Sequence, residues 1–467
     1  MASTPSAHAL AALEPLIAEA SAGGRRRLVS VTEPVEVEDP SAAVFASRLA
    51  GDRWFCWEQP DRDGFALAAL GSAHEAVSRG GDRFGELVRE CVAVTRGRSA
   101  DEPDELPAGA GPVWVGGFAF DPNGGTESHW SSFPPALLVL PALSLLRNGN
   151  LTLLTLNAVL APGEDASVVR SRLERRLAGL REQPLPLLDP HPTGASSIRS
   201  VRPPSGHEAA VSAAVERIET GELEKVVLAR EVTVEAASAH DPAAIFGGLR
   251  EVFPSCFCFC CGSPEGAFVG ASPELLVRRS GAGVSTVALA GSTRRSADPA
   301  VDDHLGEQLL RSQKDRREHE IVAQRIERAL SPLSVWVETE ADPELVKVAN
   351  IQHLATPVRA QLAEPRSAIE LAGMLHPTPA VGGEPRAAAL AAIAELEGMD
   401  RGWYAGPVGW MDAAEDGELC VALRTALLRD RVAHLYAGGG IVADSDPAAE
   451  LAETEVKLEA LLPLLAG

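Results

Sequence analysis

Two carboxylates and an amine recur along the last stretch of the chain able to form a helix, Pro447 to Leu462. Asp446 suits the N-cap and Pro447 the first helical position. Glu450, Glu453 and Lys457 then follow at three- and four-residue spacing, which places them on one side, while Leu451, Leu458 and Leu462 occupy the packing side. Such a row reads either as a solvated face with an internal ion pair, or as half of an oxygen-only site for Mg²⁺ completed by carboxylates from a second helix. The second helix is predicted over Leu305 to Leu330, where Glu307, Lys314 and Glu318 share a face and Ile321, Val322 and Ile326 pack. His319-Glu320 within it does not complete the HExxH zinc motif, because position 323 is Ala.

Ahead of the last helix, Tyr436-Ala-Gly-Gly-Gly-Ile-Val442 sets three glycines beside the helix start. Glycine lets backbone N–H groups approach an anion, so the stretch is either a structural turn or a carboxylate-binding loop. It matches neither dinucleotide nor phosphate-loop patterns. Arg424 stands inside the apolar run CVALRTALL, Lys225 opens KVVLAR and Glu274 sits in GASPELLV. A buried Arg needs an anionic partner. Together the three define a pocket with one base, one acid and one anion clamp.

The elements that must carry these residues alternate. Before residue 180, strand-like pieces (DRWFCWEQ, FALAALGS, GPVWVGGFAF) are joined by Gly- and Pro-rich turns, and Asn148-Gly149-Asn150 closes a hairpin. A helix is expected over Ser167 to Leu180, a Pro- and Ser-rich linker over 182–206, and an amphipathic helix in HEAAVSAAVERIETGE. Helices near 241–250, 367–375 and 386–396 are interleaved with strands joined by short turns such as Asp416-Gly417, which favours antiparallel pairing in an α+β protein. In Pro254-Ser-Cys-Phe-Cys-Phe-Cys-Cys-Gly262 a period of two puts Cys256, Cys258 and Cys260 on one strand face. Three thiols in such a row are awkward for a zinc tetrahedron and read as buried strand.

The chain has 467 residues and a formal charge of −23, from 65 acidic against 42 basic side chains. That surface repels phosphate backbones, so nucleic acid and anionic membranes are excluded as partners. The N-terminus has no basic residue before its apolar part and reads as a short helix rather than a signal peptide. No apolar run reaches membrane-spanning length, and seven Cys, an odd number and mostly clustered, do not form a secreted disulfide framework. A soluble cytoplasmic protein is expected.

GELEKVVLARE, GASPELLVRR, LAGSTRR, SQKDRREHEIV, IQHLATPVRAQL, MLHPTPAVGGEPR, RGWYAGPVGWMD, VALRTALL and YAGGGIVADSDPAAELAETEVKLEAL resemble, in order, the chorismate-utilising enzymes, and within them the isochorismate synthases. The resemblance covers residues 205–467, the catalytic region, and is faint over 1–190, where GGFAFDP is its clearest trace. It implies one large α+β unit in which two central antiparallel sheets pack together with helices outside. It also implies Mg²⁺, the dicarboxylate chorismate as substrate, a monomer and no glutaminase subunit. By the same resemblance Lys225 activates the attacking water and Glu274 protonates the departing C4 hydroxyl. Glu318 and Glu453 hold the metal directly, Glu450 and Asp315 through water. Arg424, Tyr436, Gly438, Gly439, Gly440 and Lys457 receive the substrate carboxylates, with Gly439 and Lys457 the preferred contacts, and His353 lies close to the ring.

Ala290 in VALAGST stands where aminodeoxychorismate synthases carry a nucleophilic lysine, which favours direct water addition. Salicylate synthase shares the lysine and glutamate, but tends to carry Thr where this chain has Ala380. LAGSTRR holds one small residue more than the usual pattern, which leaves either Ser292 or Thr293 in the site. A noncatalytic scaffold of the same fold is the reading from another class. The product would suit menaquinone or catechol siderophore synthesis alike.

Overall fold

The hairpin expected at Asn148-Gly149-Asn150 forms, with Leu143–Asn148 pairing against Leu151–Leu160 and Gly149 at φ 60°, the left-handed backbone that a tight hairpin turn needs. The computed structural model describes residues 7–189 and 194–466; residues 1–6 of the N-terminal segment, 190–193 of the Pro- and Ser-rich stretch and residue 467 lie outside them. Among the described residues the strands assemble into one 13-stranded and one 10-stranded sheet. Every ladder is antiparallel except that between Arg27–Pro34 and Ser99–Asp101.

Both sheets mix strands from the two ends of the chain. Trp54–Gln59 pairs with Phe257–Ser263 in the larger, and Val113–Phe118 with Pro407–Asp412 in the smaller. The Pro-rich stretch therefore links two parts of the same pair of sheets. The main core lies where the sheets face each other, with Trp57, Phe259 and Phe268 from one meeting Trp114, Val277 and Leu419 from the other.

The cysteine-rich strand obeys its period of two. Phe257, Phe259 and Cys261 enter the core between the sheets, whereas Cys256, Cys258 and Cys260 face a second cluster with Ile245, Phe246 and Leu249 of the helix Pro242–Val252. All seven thiols are free and buried, and burial pushes those of Cys256 and Cys260 up to about 12. They are hydrophobic filling.

The helix expected over Leu305 to Leu330 is instead two, Pro299–Arg311 and Gln313–Leu330. Ser312 turns extended between them and its hydroxyl accepts from Asp315 N–H, capping the second helix. The break re-aims the chain, so Lys314, Asp315 and Glu318 begin a new helix directly over the cleft described below. The last helix likewise ends early, at Leu458, followed by a short turn of helix at Leu462–Ala466. A helix at Arg83–Thr95, not among those expected from the sequence, buries Phe84, Leu87, Val88 and Cys91 at helical spacing.

Candidate active site

Glu274 and Arg424 occupy equivalent places, at two of the points where the chain passes between the larger sheet and the smaller. Gly266–Ser272 belongs to the larger sheet and Leu275–Ser280 to the smaller, with Pro273-Glu274 as the crossing. Gly417–Val421 belongs to the smaller and Thr425–Arg429 to the larger, with Ala422–Arg424 as the crossing. Arg424 thus sits between strands rather than within one, and its φ of 51° is a left-handed conformation that a side chain other than glycine adopts at a cost. Val421 N–H donates to Glu274 O at 3.0 Å and Ala271 N–H to Arg424 O at 3.2 Å, so the crossings brace each other. Both side chains project into a cleft of about 820 Å³. Burial pushes the Glu274 carboxyl up to about 8 against the opposing pull of Lys225 and Arg424, so it holds a proton at neutral pH.

Lys225, at the start of the strand Lys225–Glu235, is completely enclosed, with Nζ 2.9 Å from Glu318 Oε1. It does not itself line the cleft; Glu318 and Val227, next on the same face of its strand, do. The three glycines lie opposite, inside the continuous strand Val432–Ile441 and not in a turn or loop, with Val227, Leu228 and Ala229 paired to Gly440, Gly439 and Gly438. None of the three has positive φ, so their value here is space. A Cβ on Gly440 would overlap Glu318 Oε1 and lie 3.0 Å from Lys225 Cε, and one on Gly439 would lie 3.1 Å from Glu450 Oε2.

Alternation along the ladder also sorts their backbone groups. Val227 and Ala229 direct their own N–H groups away from this ladder, to Gly382 O and Glu397 Oε1. Gly440 and Gly438, paired to them, therefore turn their N–H groups to the opposite edge, where the neighbouring strand Thr425–Arg429 has already ended its pairing at Leu435. Gly438 O on that edge accepts from Lys457 Nζ at 2.8 Å. Gly438 and Gly440 line the cleft, whereas Gly439, the glycine preferred from the sequence, is turned into the ladder with Leu228 and is not in the cleft wall. Replacing Gly440 by Ala should displace the Glu318 carboxylate and weaken substrate use about 10- to 100-fold, in line with roughly 1–3 kcal/mol for overpacking. Steady-state kinetics beside a melting curve measures it.

Three carboxylates meet three lysine side chains. Lys225 faces Glu318, Lys314 Nζ is 2.9 Å from Glu450 Oε1, and Lys457 Nζ is 2.6 Å from Glu453 Oε1. Ser292 Oγ donates to Glu453 Oε1 at 3.0 Å. The extra residue in LAGSTRR is a β-bulge: pairing with the strand Ile351–Leu362 shifts between Ala290 and Ser292, with Gly291 at φ 76°, and so Ser292 rather than Thr293 enters the cleft. Burial and then the neighbouring Glu453 raise the Glu450 carboxyl, and burial followed by Glu318 and Glu453 raises Asp315. Glu453 is lowered, because Lys457 and Ser292 outweigh its burial.

Asp315, Glu318 and Glu453 line the cleft, while Glu450 stands behind Gly439 with its Oε2 buried and unpartnered. An all-carboxylate donor set with an orphaned oxygen, in which Asp315 and Glu450 are raised by burial and acidic neighbours, fits a hard divalent cation, with Lys314 and Lys457 paired to it here.

His353 is buried with its Nε2 accepting from Arg424 at 3.4 Å. Burial, then Arg424 and Lys457, pushes its ring down to about 3, so the imidazole is neutral. Ala380 lines the cleft beside Val381. Tyr436 lines it with its ring, but its hydroxyl is engaged with His129 Nε2 at 3.2 Å.

The sequence sets Lys314 on the helix face of Glu318 without giving it a part in the site and does not single out Tyr404, yet both line the cleft. Tyr404 stacks on Tyr436 with ring centroids 5.2 Å apart, and burial pushes its hydroxyl up to about 12, among the charges of Arg401, Glu397, Arg424 and Glu274. RGWYAG was visible as a motif, but a tyrosine two residues before a glycine carries no charge pattern to mark it. Loss of the Tyr404 hydroxyl in Tyr404→Phe should lower kcat/KM about 10-fold, the scale of one hydrogen bond to a charged group, measured at matched folded fraction.

Among the described residues, three ligand-type side chains come within 4.8 Å of one another only at His129, Glu231 and His434. The two rings stack 4.2 Å apart at 12°, which directs their lone pairs in parallel rather than at one point. His434 Nδ1 is bonded to Glu231 Oε1 at 2.7 Å, so the cluster is a hydrogen-bonded support under Tyr436.

Fold and cleft together define an enzyme for a small anionic compound. Residues 15–466 match the family model described as chorismate binding enzyme. The salicylate biosynthesis isochorismate synthase of Pseudomonas aeruginosa is 39% identical over 98% of this chain and 95% of its own length. The isochorismate synthase MenF of Bacillus subtilis is 34% identical over 94% of each chain. The solved structure of the menaquinone-specific isochorismate synthase MenF from Escherichia coli superposes with a TM-score of 0.80 at 29% identity, over 98% of this chain and 99% of that one. The chain belongs to the chorismate-binding enzyme family. Among the described residues no helix is long and apolar enough to cross a membrane.

Proposed function

We propose that this protein is an isochorismate synthase, converting chorismate to isochorismate with Mg²⁺ as cofactor and water as the co-reactant. The observation that carries the reading is an enclosed amine, Lys225, directly behind the Glu318 carboxylate of the cleft wall, set beside a carboxyl raised to about 8, Glu274, in the cleft itself. Water adds at C2 of the ring and gives up a proton to the free amine of Lys225, which becomes the ammonium. The ring double bonds shift, the C4–O bond breaks, and Glu274 gives its proton to the departing hydroxide, which leaves as water. Protonated Lys225 and the Glu274 carboxylate left by the forward step are the acid and base of the reverse one, and proton exchange with solvent resets both for another forward turnover.

Arg424 and the N–H groups of Gly438 and Gly440 offer donors to the substrate carboxylates, and the neutral His353 presents an uncharged ring beside them. Glu318 and Glu453 would hold Mg²⁺, with Glu450 and Asp315 supporting it through water; when bound it supplies positive charge against a substrate carboxylate. In a protein of net charge −23, affinity for a dianion must come from these local groups. The single chain supplies both acid and base, so no ammonia-delivering subunit is required. Incubation with chorismate and Mg²⁺ followed by chromatography tests the reading: isochorismate alone supports it, salicylate with pyruvate would assign the elimination reaction, and no conversion would refute both.

A further inference from the structure

On its outer edge the Lys225 strand has no complete neighbour. Lys225 and Val226 pair with Gly383–Glu384, and Val227 N–H donates to Gly382 O at 2.8 Å. Further along, Val201 N–H donates to Glu231 O, and Val232 to Glu235 pair with Ser197–Ser200. Between these two short partners, Val227 O and Ala229 N–H face no strand, and buried backbone groups left unpaired are costly.

Two side chains fill the gap. Glu397 Oε1 accepts from Ala229 N–H at 2.7 Å, and Arg401 donates to Val227 O at 2.9 Å. They also bind each other, Arg401 Nε to Glu397 Oε2 at 2.9 Å, with side chains only 3% and 2% exposed. The guanidinium's other end donates to Val381 O at 2.9 Å, and its cation lies 4.1 Å from the Phe120 ring centroid and 5.9 Å from that of Tyr404. Val227, Val381 and Tyr404 all line the cleft.

We propose that Arg401 and Glu397 are positioning residues, an ion pair standing in for a missing stretch of strand, which holds the Lys225 strand in register with the Ala380-Val381 turn and Tyr404. The proposal rests on reading this cleft as the site of chorismate chemistry. A buried ion pair adds little net stability over apolar packing. Here three of its hydrogen bonds end on the backbone of the Lys225 strand or of the facing cleft wall. Only arginine's planar fork reaches Glu397, Val227 and Val381 at once, so lysine cannot replace it. A slack strand would leave Lys225 present but misplaced, which lowers the chemical step more than substrate binding.

Arg401→Lys and Glu397→Gln test this, singly and together. Each should keep KM within about threefold while kcat falls at least about tenfold, and the double variant should be no worse than the poorer single one, because the two act as a unit. Hydrogen exchange supplies the readout that does not depend on turnover. Amides 226–230 should exchange at least about tenfold faster in both variants, with the core strand 257–263 unchanged. Unaltered exchange at 226–230, equal loosening of 257–263, or full kcat in a folded variant would overturn the proposal. Failure of the wild-type protein to convert chorismate would reject the proposed function instead, and the exchange result would still judge the clamp.

Discussion

Replacing Lys225 by Gln is expected to lower kcat for isochorismate formation by about 10²- to 10⁴-fold, the usual contribution of a positioned general base. Gln keeps much of the stem that fills the space beside Gly440 but cannot accept a proton from water. The amine is held by three features: enclosure, a strand start fixed to Glu384, and Glu318 at 2.9 Å. Removing it also leaves Glu318 without its amine partner, so binding of a divalent cation should persist or tighten while turnover is lost. Rapid-quench kinetics with product chromatography, beside calorimetric titration of Mg²⁺, measures both. Turnover within threefold of wild type would remove Lys225 from the chemistry.

Replacing Glu274 by Gln should cost a similar factor, and it carries a second signature in pH. The carboxyl titrates near 8, so wild-type kcat/KM should fall about tenfold per unit as pH rises beyond that value and the acid is lost. That limb should vanish from the residual activity of Glu274→Gln. The same shift enters stability with a definite sign. A carboxyl raised in the folded protein binds its proton there more tightly than in the unfolded chain, so stability is lost as pH rises from the ordinary carboxylate range through about 8. Glu274→Gln has no proton to lose. It should therefore lose less stability than wild type between pH 6 and pH 9 in thermal melts.

Much of this site was legible because its chemistry is charged. Lys225, Glu318, Glu453 and Lys457 each break an apolar run or recur on a helix side, and Glu274 and Arg424 interrupt stretches otherwise fit for a core. What the one-dimensional pattern hid was geometry set by long-range pairing. Arg424 reads as a residue within a strand, yet the chain changes sheet there, because the two halves of CVALRTALL pair with different partners. The choice among three identical glycines depends on ladder alternation, which begins with how Lys225 pairs more than 150 residues away in sequence. Ser312 gave too weak a stop signal to divide the helix over the cleft. Tyr404 acts through burial, and the Arg401–Glu397 pair, although spaced four residues apart, acts through contacts to the distant Lys225 strand that this spacing does not encode.

The origin of the new hydroxyl tests the central claim most directly. Conversion of chorismate in H₂¹⁸O with Mg²⁺ should give isochorismate carrying ¹⁸O at C2, and the reverse reaction should place ¹⁸O at C4 of recovered chorismate. Unlabelled isochorismate formed at the full rate would mean that the oxygen migrates within the substrate, and would contradict water activation by Lys225 with expulsion by Glu274.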